Sequence, residues 1–294
     1  MRRTFLASIC LVTFLSGCAT HQQLHTRPAL VTKHIAQEAG LTATQQHEVD
    51  DLCFMGKPAK TDDTLGPTES IYHEGYVLEY SSVDKIPFWV CEHIRKDHFK
   101  AGAERGNFKN DPDLHGPRSS AADYVNSHYD KGHQAPAGDQ GAFPALEDQT
   151  FYMSNMAPQF PKFNEQAWKS LETQIRTWVG QFSEAYAFTG PLFYDPKEDD
   201  PTKADGTITY FTIGAHAVAV PTHFYKIIIV KDNGVWKSIA FVMPNKKDYK
   251  SPYHLEQYIQ SVEWIEDHTG LNFMPNLTAA QQVQLEQNKS PMWP

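Results

Sequence analysis

Cysteine and positive charge are both scarce in this chain. Its 294 residues include four cysteines, Cys10, Cys18, Cys53 and Cys91, and no two form a C-x-x-C pair, which argues against a thiolate zinc site. Basic residues number 26 against 35 acidic ones, a formal charge of −9. Phosphate contacts are made by lysine and arginine, so an acidic chain does not present a general polyanion-binding surface. Any nucleic-acid site must be a local cationic cleft, with weak and metal-assisted binding. The acidic group Asp195, Glu198, Asp199 and Asp200 lacks the spacing of an EF-hand and reads as a solvated loop. There is no internal repeat and no domain boundary after residue 50.

The N-terminus carries a clear signal. Met1-Arg2-Arg3 is a positive n-region, Thr4 to Phe14 is an apolar run too short to span a bilayer as a mature helix, and Leu15-Ser16-Gly17-Cys18 matches a bacterial lipobox. Residues 1–17 read as a lipoprotein signal peptide and Cys18 as the lipidated first residue; the alternative is an ordinary secretory signal with a chance cysteine. Ala19 after Cys18 points to the outer membrane of a bacterial envelope, with the protein held there by its lipid. Loss of Arg2 and Arg3 takes the charge from −9 to −11. Export permits disulfides, so Cys53 and Cys91 are either bridged or two buried thiols.

Residues 18–50 are polar and read as a tether, with a short helix at Thr32–Gly40. Its histidines, His21, His25, His34 and His47, read as solvated. From Tyr72 strands begin: 75–80 and 88–94, then 149–154, 186–194, 207–213, 217–221, 225–231 and 238–244. Asn155–Lys162 reads as a Pro-broken loop. Asn164 reads as the N-cap of a helix whose Trp168, Leu171, Ile175, Trp178, Val179 and Phe182 recur at helical spacing. Leu255–Thr269 is amphipathic and closed by Gly270. The expected fold is α+β, a central antiparallel sheet flanked by helices, spanning 51–277, with a polar tail at 278–294.

The chemistry concentrates in Tyr129-Asp130-Lys131-Gly132-His133-Gln134-Ala135-Pro136-Ala137-Gly138-Asp139. Gly132 permits a close bend, Pro136 and Gly138 end the strand, and a cation stands two residues before an imidazole, the natural general base near neutral pH. Asn164 and Glu172 are eight apart on the predicted helix. In a regular α-helix that leaves their side chains about 80° apart, on neighbouring faces. An amide oxygen with waters suits Mg²⁺, and a helix N-terminus suits phosphate. The plain readings are an N-cap for Asn164 and a solvated charge for Glu172. Asp139 could bind metal or cap the turn, and His216 and His223 read as structural.

Asp130-Lys131-Gly132-His133, Ser154-Asn155-Met156-Ala157-Pro158-Gln159 and Asn164-x-x-x-Trp168-x-x-Leu171-Glu172 together resemble the DNA/RNA non-specific endonuclease family. That family includes secreted bacterial nucleases and mitochondrial endonuclease G, and has a ββα-metal (His-Me finger) active site. The likeness extends to Trp89-Val90, to Arg105–Asp111, to Thr189-Gly190-Pro191, to Val220–Lys226, to Ala240–Asn245 and to Ile265–Leu271, covering about Cys53 to Leu277. It implies His133 as general base, Asn164 as the direct protein ligand of a hydrated Mg²⁺ (Mn²⁺ as the substitute), and Glu172 holding metal-bound water or orienting the helix. It implies Arg105 beside the developing phosphorane charge and Asn155 supporting the His loop. Its substrates would be DNA and RNA, read through phosphates and not base edges; a homodimer is left open. Lys131 stands where the family usually has Arg, which keeps the charge and loses the bidentate fork. Two other readings stand beside the nuclease: a non-catalytic envelope lipoprotein that uses the fold to bind, and a narrower phosphodiesterase acting on short nucleotides.

Overall fold

The computed structural model describes residues 22–28, 40–61, 66–99 and 106–294. In chain order the elements are β1 (Gln23–Pro28), α1 (Ala43–Leu52), β2 (Ala59–Lys60), β3 (Thr68–Tyr72), β4 (Val77–Ser81), β5 (Ile86–Arg95), β6 (Asp130–His133), α2 (Pro144–Thr150) and β7 (Met156–Gln159). There follow α3 (Lys169–Phe182), β8 (Glu184–Leu192), β9 (Thr207–Ile213), β10 (Val218–Val220), β11 (His223–Asp232), β12 (Val235–Pro244), β13 (Ile259–Gln260), α4 (Val262–Thr269), β14 (Leu271–Asn272) and α5 (Ala279–Leu285). The frame is a seven-stranded antiparallel sheet in the order β13-β12-β11-β8-β5-β4-β3.

β11 explains why this sheet has two covered faces. Its sequence His-Phe-Tyr-Lys-Ile-Ile-Ile-Val is buried almost throughout. Side chains alternate faces along a strand. Phe224, Ile228 and Val230 therefore join the core under α3, while Tyr225, Ile227 and Ile229 join the core under α1 and α4. Asn233-Gly234, both at positive φ (48° and 85°), make the two-residue turn that matches strand twist and sets the register of β11 on β12.

On one face lies α3, whose Leu171, Ile175, Trp178 and Val179 form its buried stripe. On the other lie α1 and α4. α1 is started by a capping box from Thr42 and Gln45, and α4 is capped by Ser261 and closed by Gly270 at φ 69°. Cys53 and Cys91 are joined by a disulfide on this second face, with Cα atoms 5.2 Å apart.

Several readings from the sequence change. The stretch read as tether contains β1, which pairs antiparallel with β9, and α1, which buries Val49 and Leu52. The expected helix at 32–40 and the lipobox with Cys18 lie outside the described residues. β9 and β10 belong to a separate three-stranded sheet with β1, not to the main sheet. The stretch read as tail also packs: α5 is fixed by Gln284 Nε2 donating to the Trp236 carbonyl at 2.9 Å, and Trp293 rests edge-on against Trp178 at 4.9 Å. The strand expected at 149–154 is the end of α2 and a short 3₁₀ turn, because Pro144 starts a helix there. The strand is β7, which begins two residues beyond Ser154, in the stretch read as a loop. Pro158 is tolerated because β6 and β7 form a two-stranded ribbon with edges on both sides.

Candidate active site

β6 and β7 form an antiparallel hairpin, with Gly132 opposite Ala157 and His133 opposite Met156, and the helix containing Asn164 and Glu172 follows directly. Gly132 is required by a close approach: a Cβ there would stand 2.1 Å from Gln159 Oε1. His133 leaves the hairpin between two aromatic rings. Phe151 meets it edge-on at 5.1 Å and Phe108 lies 5.7 Å away. Phe108 is held there by two backbone bonds of the residue that follows it. Lys109 N–H donates to the Phe151 carbonyl, and Met153 N–H donates to the Lys109 carbonyl.

Asn155 is fully buried directly beneath this turn. Its Nδ2 donates to the carbonyls of Ala135 and Thr150, both at 2.9 Å, and its Oδ1 accepts from Ala135 N–H at 2.9 Å. Gln134 N–H donates to the Asn155 carbonyl. The two residues after His133 are thus clamped to Asn155, Gln134 to its backbone and Ala135 to its side chain, which fixes the imidazole's origin.

The helix begins at Pro161, not at Asn164. Proline suits a first helical turn, because its φ is preset and its missing N–H had no intrahelical partner. Asn164 therefore is not the N-cap. It sits inside a π-helical turn, Phe163–Trp168, in which Lys169 N–H reaches back five residues to the Asn164 carbonyl. The wider turn corrects the phase of the whole site. One π turn plus one α turn takes up about eight residues. Asn164 and Glu172 are eight apart, so they stack on one face where a regular helix would splay them. Asn164 Nδ2 donates to Asp130 Oδ2 at 3.0 Å, which turns the amide oxygen away from Asp130.

His133, Lys131, Asn164, Glu172, Asp130, Lys169 and Arg176 line one open cleft of about 710 Å³. Lys131 Nζ lies over the rings of Phe108 (4.8 Å) and Tyr124 (5.4 Å), an aromatic slot that directs the cation. Arg176 was not singled out from the sequence, although its place one turn after Glu172 was the available signal. Arg176 Nε donates to Asp139 Oδ1 at 2.6 Å, and its Nη2 lies 3.9 Å from Glu172 Oε2. Asp139 is thereby an anchor for Arg176. Burial lowers the Arg176 pKa, but Asp139 and then Glu172 outweigh it and leave it raised. Burial pushes the Glu172 carboxyl up to about 7, against the pull of Arg176 and Lys226. Glu92 and Lys226, each 1% exposed, lie 3.8 Å apart below the cleft, and Lys226 Nζ donates to the Gln134 carbonyl at 3.4 Å. Burial, with Asp139 next, raises the Glu92 carboxyl well above its usual range.

Arg105 lies outside the described residues. Gly106, which follows it, would carry a Cβ 2.4 Å from the Phe151 ring. His223 is away from the cleft, where burial lowers its pKa to about 4. His216 caps Asp123, Nδ1 to Oδ2 2.8 Å.

Among the described residues, two donor sets could hold a cation. In the cleft, the Asn164 amide oxygen, turned away from Asp130, and the Glu172 carboxylate offer oxygen donors in a space with room for water, which fits a hard ion that keeps part of its hydration. Elsewhere, ligand atoms of His73, Asp111 and Asp113 lie within 4.8 Å of one another. There His73 Nε2 is already bonded to Asp111 Oδ2 at 2.9 Å, and Ser154 Oγ donates to the same oxygen.

The sequence profile of the DNA/RNA non-specific endonuclease family matches residues 57–280. Nuclease C1 of Cunninghamella echinulata var. echinulata is 40% identical over 236 residues, covering 78% of this chain and 89% of that protein. Mitochondrial endonuclease G of Homo sapiens is 38% identical over 213 residues, covering 70% of this chain and 69% of that protein. A crystal structure of a complex of EndoG with EndoGI superposes with a TM-score of 0.70 at 33% identity, over 86% of this chain and 99% of that one.

Proposed function

Because the chain belongs to the DNA/RNA non-specific endonuclease family, we propose that it cleaves DNA and RNA in a Mg²⁺-dependent reaction in the cleft between β6 and the π turn. The observation that carries this reading is the π turn itself, which brings Asn164 and Glu172 onto the face that His133 and Lys131 share. The Asn164 amide oxygen, with Glu172 on the same face, would hold a Mg²⁺ ion, which would supply charge neutralisation at the scissile phosphate. His133 takes a proton from the attacking water as its oxygen bonds to phosphorus. The phosphorus–O3′ bond breaks and the departing O3′ takes a proton from solvent, leaving a 5′-phosphate and a 3′-hydroxyl. Asn155 holds the turn after His133 so that the imidazole does not reorient during attack. Lys131, with Arg176 behind Glu172, offsets charge building on the phosphoryl oxygens; the resemblance places Arg105 in the same role. None of these groups reads a base edge, which agrees with cleavage of both sugars.

The test uses the chain from Ala19 onward with supercoiled plasmid and with total RNA, in Mg²⁺, Mn²⁺ and EDTA, beside His133→Ala. Both substrates are expected to be lost with the metals only. Intact nucleic acid from folded protein across divalent ions and pH values would sink this reading in favour of a binding lipoprotein. Cleavage of a dinucleotide without plasmid cleavage would favour the narrower phosphodiesterase.

The lipobox ending at Cys18 supports envelope anchoring through a lipid. Radiolabelled palmitate should enter the wild-type chain, and equal labelling of Cys18→Ala would remove the assignment.

A further inference from the structure

Positive charge gathers at one edge of the cleft in an otherwise acidic chain. Lys162 is exposed on the first turn of the helix that starts at Pro161, and Lys246, Lys247 and Lys250 are exposed on the loop after β12. This loop is fixed to the site by Asn245, which is 8% exposed. Asn245 Oδ1 accepts from Phe160 N–H at 2.9 Å, and its Nδ2 donates to the carbonyls of Pro158 and Pro221 at 3.0 and 2.9 Å. Tyr249, buried under the loop, donates its hydroxyl to the Pro244 carbonyl at 2.7 Å.

Two of the lysines are held over rings, Lys247 Nζ 5.0 Å from Phe160 and Lys246 Nζ 5.1 Å from Tyr249. Phe160 in turn packs at a tilt against Tyr129 at 4.5 Å, and Tyr129 lines the cleft. The cleft, Tyr129, Phe160 and Lys247 thus form one continuous path. The acid within this loop is Asp248, 3.8 Å from Lys246 and 76% exposed. Four lysines with one loop carboxylate reverse the sign of a chain that carries 35 acidic and 26 basic residues.

We propose that Lys162, Lys246, Lys247 and Lys250 form a second binding surface, which grips the sugar-phosphate backbone of the nucleic-acid strand leaving the cleft. The inference rests on the nuclease reading of the cleft and adds a length preference to it. Lysine ammonium groups act as point charges without a planar fork, so they hold phosphates without selecting sequence. Rings beneath them restrict the flexible stems, which lowers the ordering cost of each contact. A strand too short to pass Phe160 gains nothing from the ridge, and a long one gains several phosphate contacts.

The experiment measures binding, not cleavage. Full-length His133→Ala, or the wild-type chain in EDTA, is titrated against fluorescent single-stranded 30-mer and tetramer at several salt concentrations, with and without Lys162→Ser, Lys246→Ser, Lys247→Ser and Lys250→Ser together. The ridge variant should bind the 30-mer at least tenfold more weakly and the tetramer within twofold of the parent. Its log–log salt slope should fall by about 2 to 3, as expected for loss of three or four phosphate contacts. Lys231→Ser with Lys237→Ser, at the far end of the β11–β12 hairpin some ~30 Å away by strand rise, should leave 30-mer binding unchanged. Unchanged 30-mer binding by the ridge variant would overturn the proposal. So would equal loss for tetramer and 30-mer, or an equal loss from the distant pair. A wild-type chain that cleaves plasmid while the ridge variant binds normally removes the ridge and keeps the nuclease. A chain that never cleaves but loses 30-mer binding with the ridge does the reverse.

Discussion

Both faces of the seven-stranded sheet are covered by apolar cores, and the face under α3 also buries Glu92 beside Lys226. Beneath α1 and α4 the sheet buries Cys91, Phe188, Tyr225, Ile227 and Ile229 against Val49, Leu52, Val262, Ile265 and Phe273, a core of aliphatic, aromatic and disulfide-bonded groups. Under α3 and the β6–β7 hairpin the same strands bury Glu92 and Lys226. Both Glu92 oxygens lack a hydrogen-bond partner among the described residues. Burial raises the Glu92 carboxyl well above its usual range, so its approach to Lys226 contributes little stability. Both faces therefore stabilise the sheet through apolar burial, and the cleft residues stand above the α3 face alone. Substitutions at the cleft and in the core under α1 and α4 should therefore have different effects.

The sharpest contrast sets His133→Ala against Phe273→Ala. Loss of a general base should lower activity by about 10²- to 10⁴-fold with the melting temperature near that of the parent. Loss of the fully buried Phe273 ring should cost about 3–5 kcal/mol in denaturant unfolding, with activity per folded molecule nearly kept. If either variant shows the other's phenotype, the division between cleft and core is wrong.

Next in size is the disulfide, whose ends are 38 residues apart in sequence. Cys53→Ala with Cys91→Ala should lose about 2–4 kcal/mol, again with little change in turnover of the folded protein. A thiol titration of denatured, unreduced wild type should find neither cysteine reactive. Two reactive thiols would remove the bridge from the account of this face.

Glu172 tests the cost of burying charge at the cleft. Its carboxyl is raised by burial to about 7 from an ordinary value of 4.5. The folded state therefore holds that proton to higher pH than the unfolded chain does, so the stability it contributes is complete below pH 4.5 and lost as pH rises through 7. Glu172→Gln does not titrate. Its melting temperature, relative to wild type, should climb between pH 5 and pH 8, while Asp139 still holds Arg176. A flat difference would mean that Glu172 is solvated like a surface carboxylate.

The smallest effect is expected from Lys131→Arg. A guanidinium can stack in the slot between Phe108 and Tyr124 and adds a fork for phosphate. A gain in kcat/KM of up to about fivefold, worth about 1 kcal/mol, should appear with little change in stability. A tenfold loss would show that the slot fits only an ammonium.

Much of the cleft could be read from the chain because its parts are local. Gly132 and His133 stand together, Pro136 ends their turn, and Glu172 falls on a helix whose apolar stripe is plain. Arg176 was missed although it lies one turn beyond Glu172, because an Arg on a helix face usually reads as solvated. Its partner Asp139 is 37 residues away, and only that pairing turns a surface charge into a cleft residue. The hairpin strand was displaced onto Gln149–Ser154 because Pro158 argues against a strand, and an open ribbon edge overrode that preference.

The sequence by itself determined which residues alternate between the two faces of β11, where its Asn233-Gly234 turn falls, and that a lone imidazole would be presented by a glycine bend. These follow from side-chain period and backbone sterics within a few residues. Tertiary structure decided the phase of Asn164 against Glu172. Regular helix geometry puts them on different faces, and the π turn between Pro161 and α3, set by packing of Phe163 and Trp168 against Phe224, rotates them into register. It also decided that Asn155 clamps Ala135 and that Lys226 lies under Gln134. Those contacts join residues twenty or more apart, and neither propensity nor spacing specifies them until the sheet has brought the segments together.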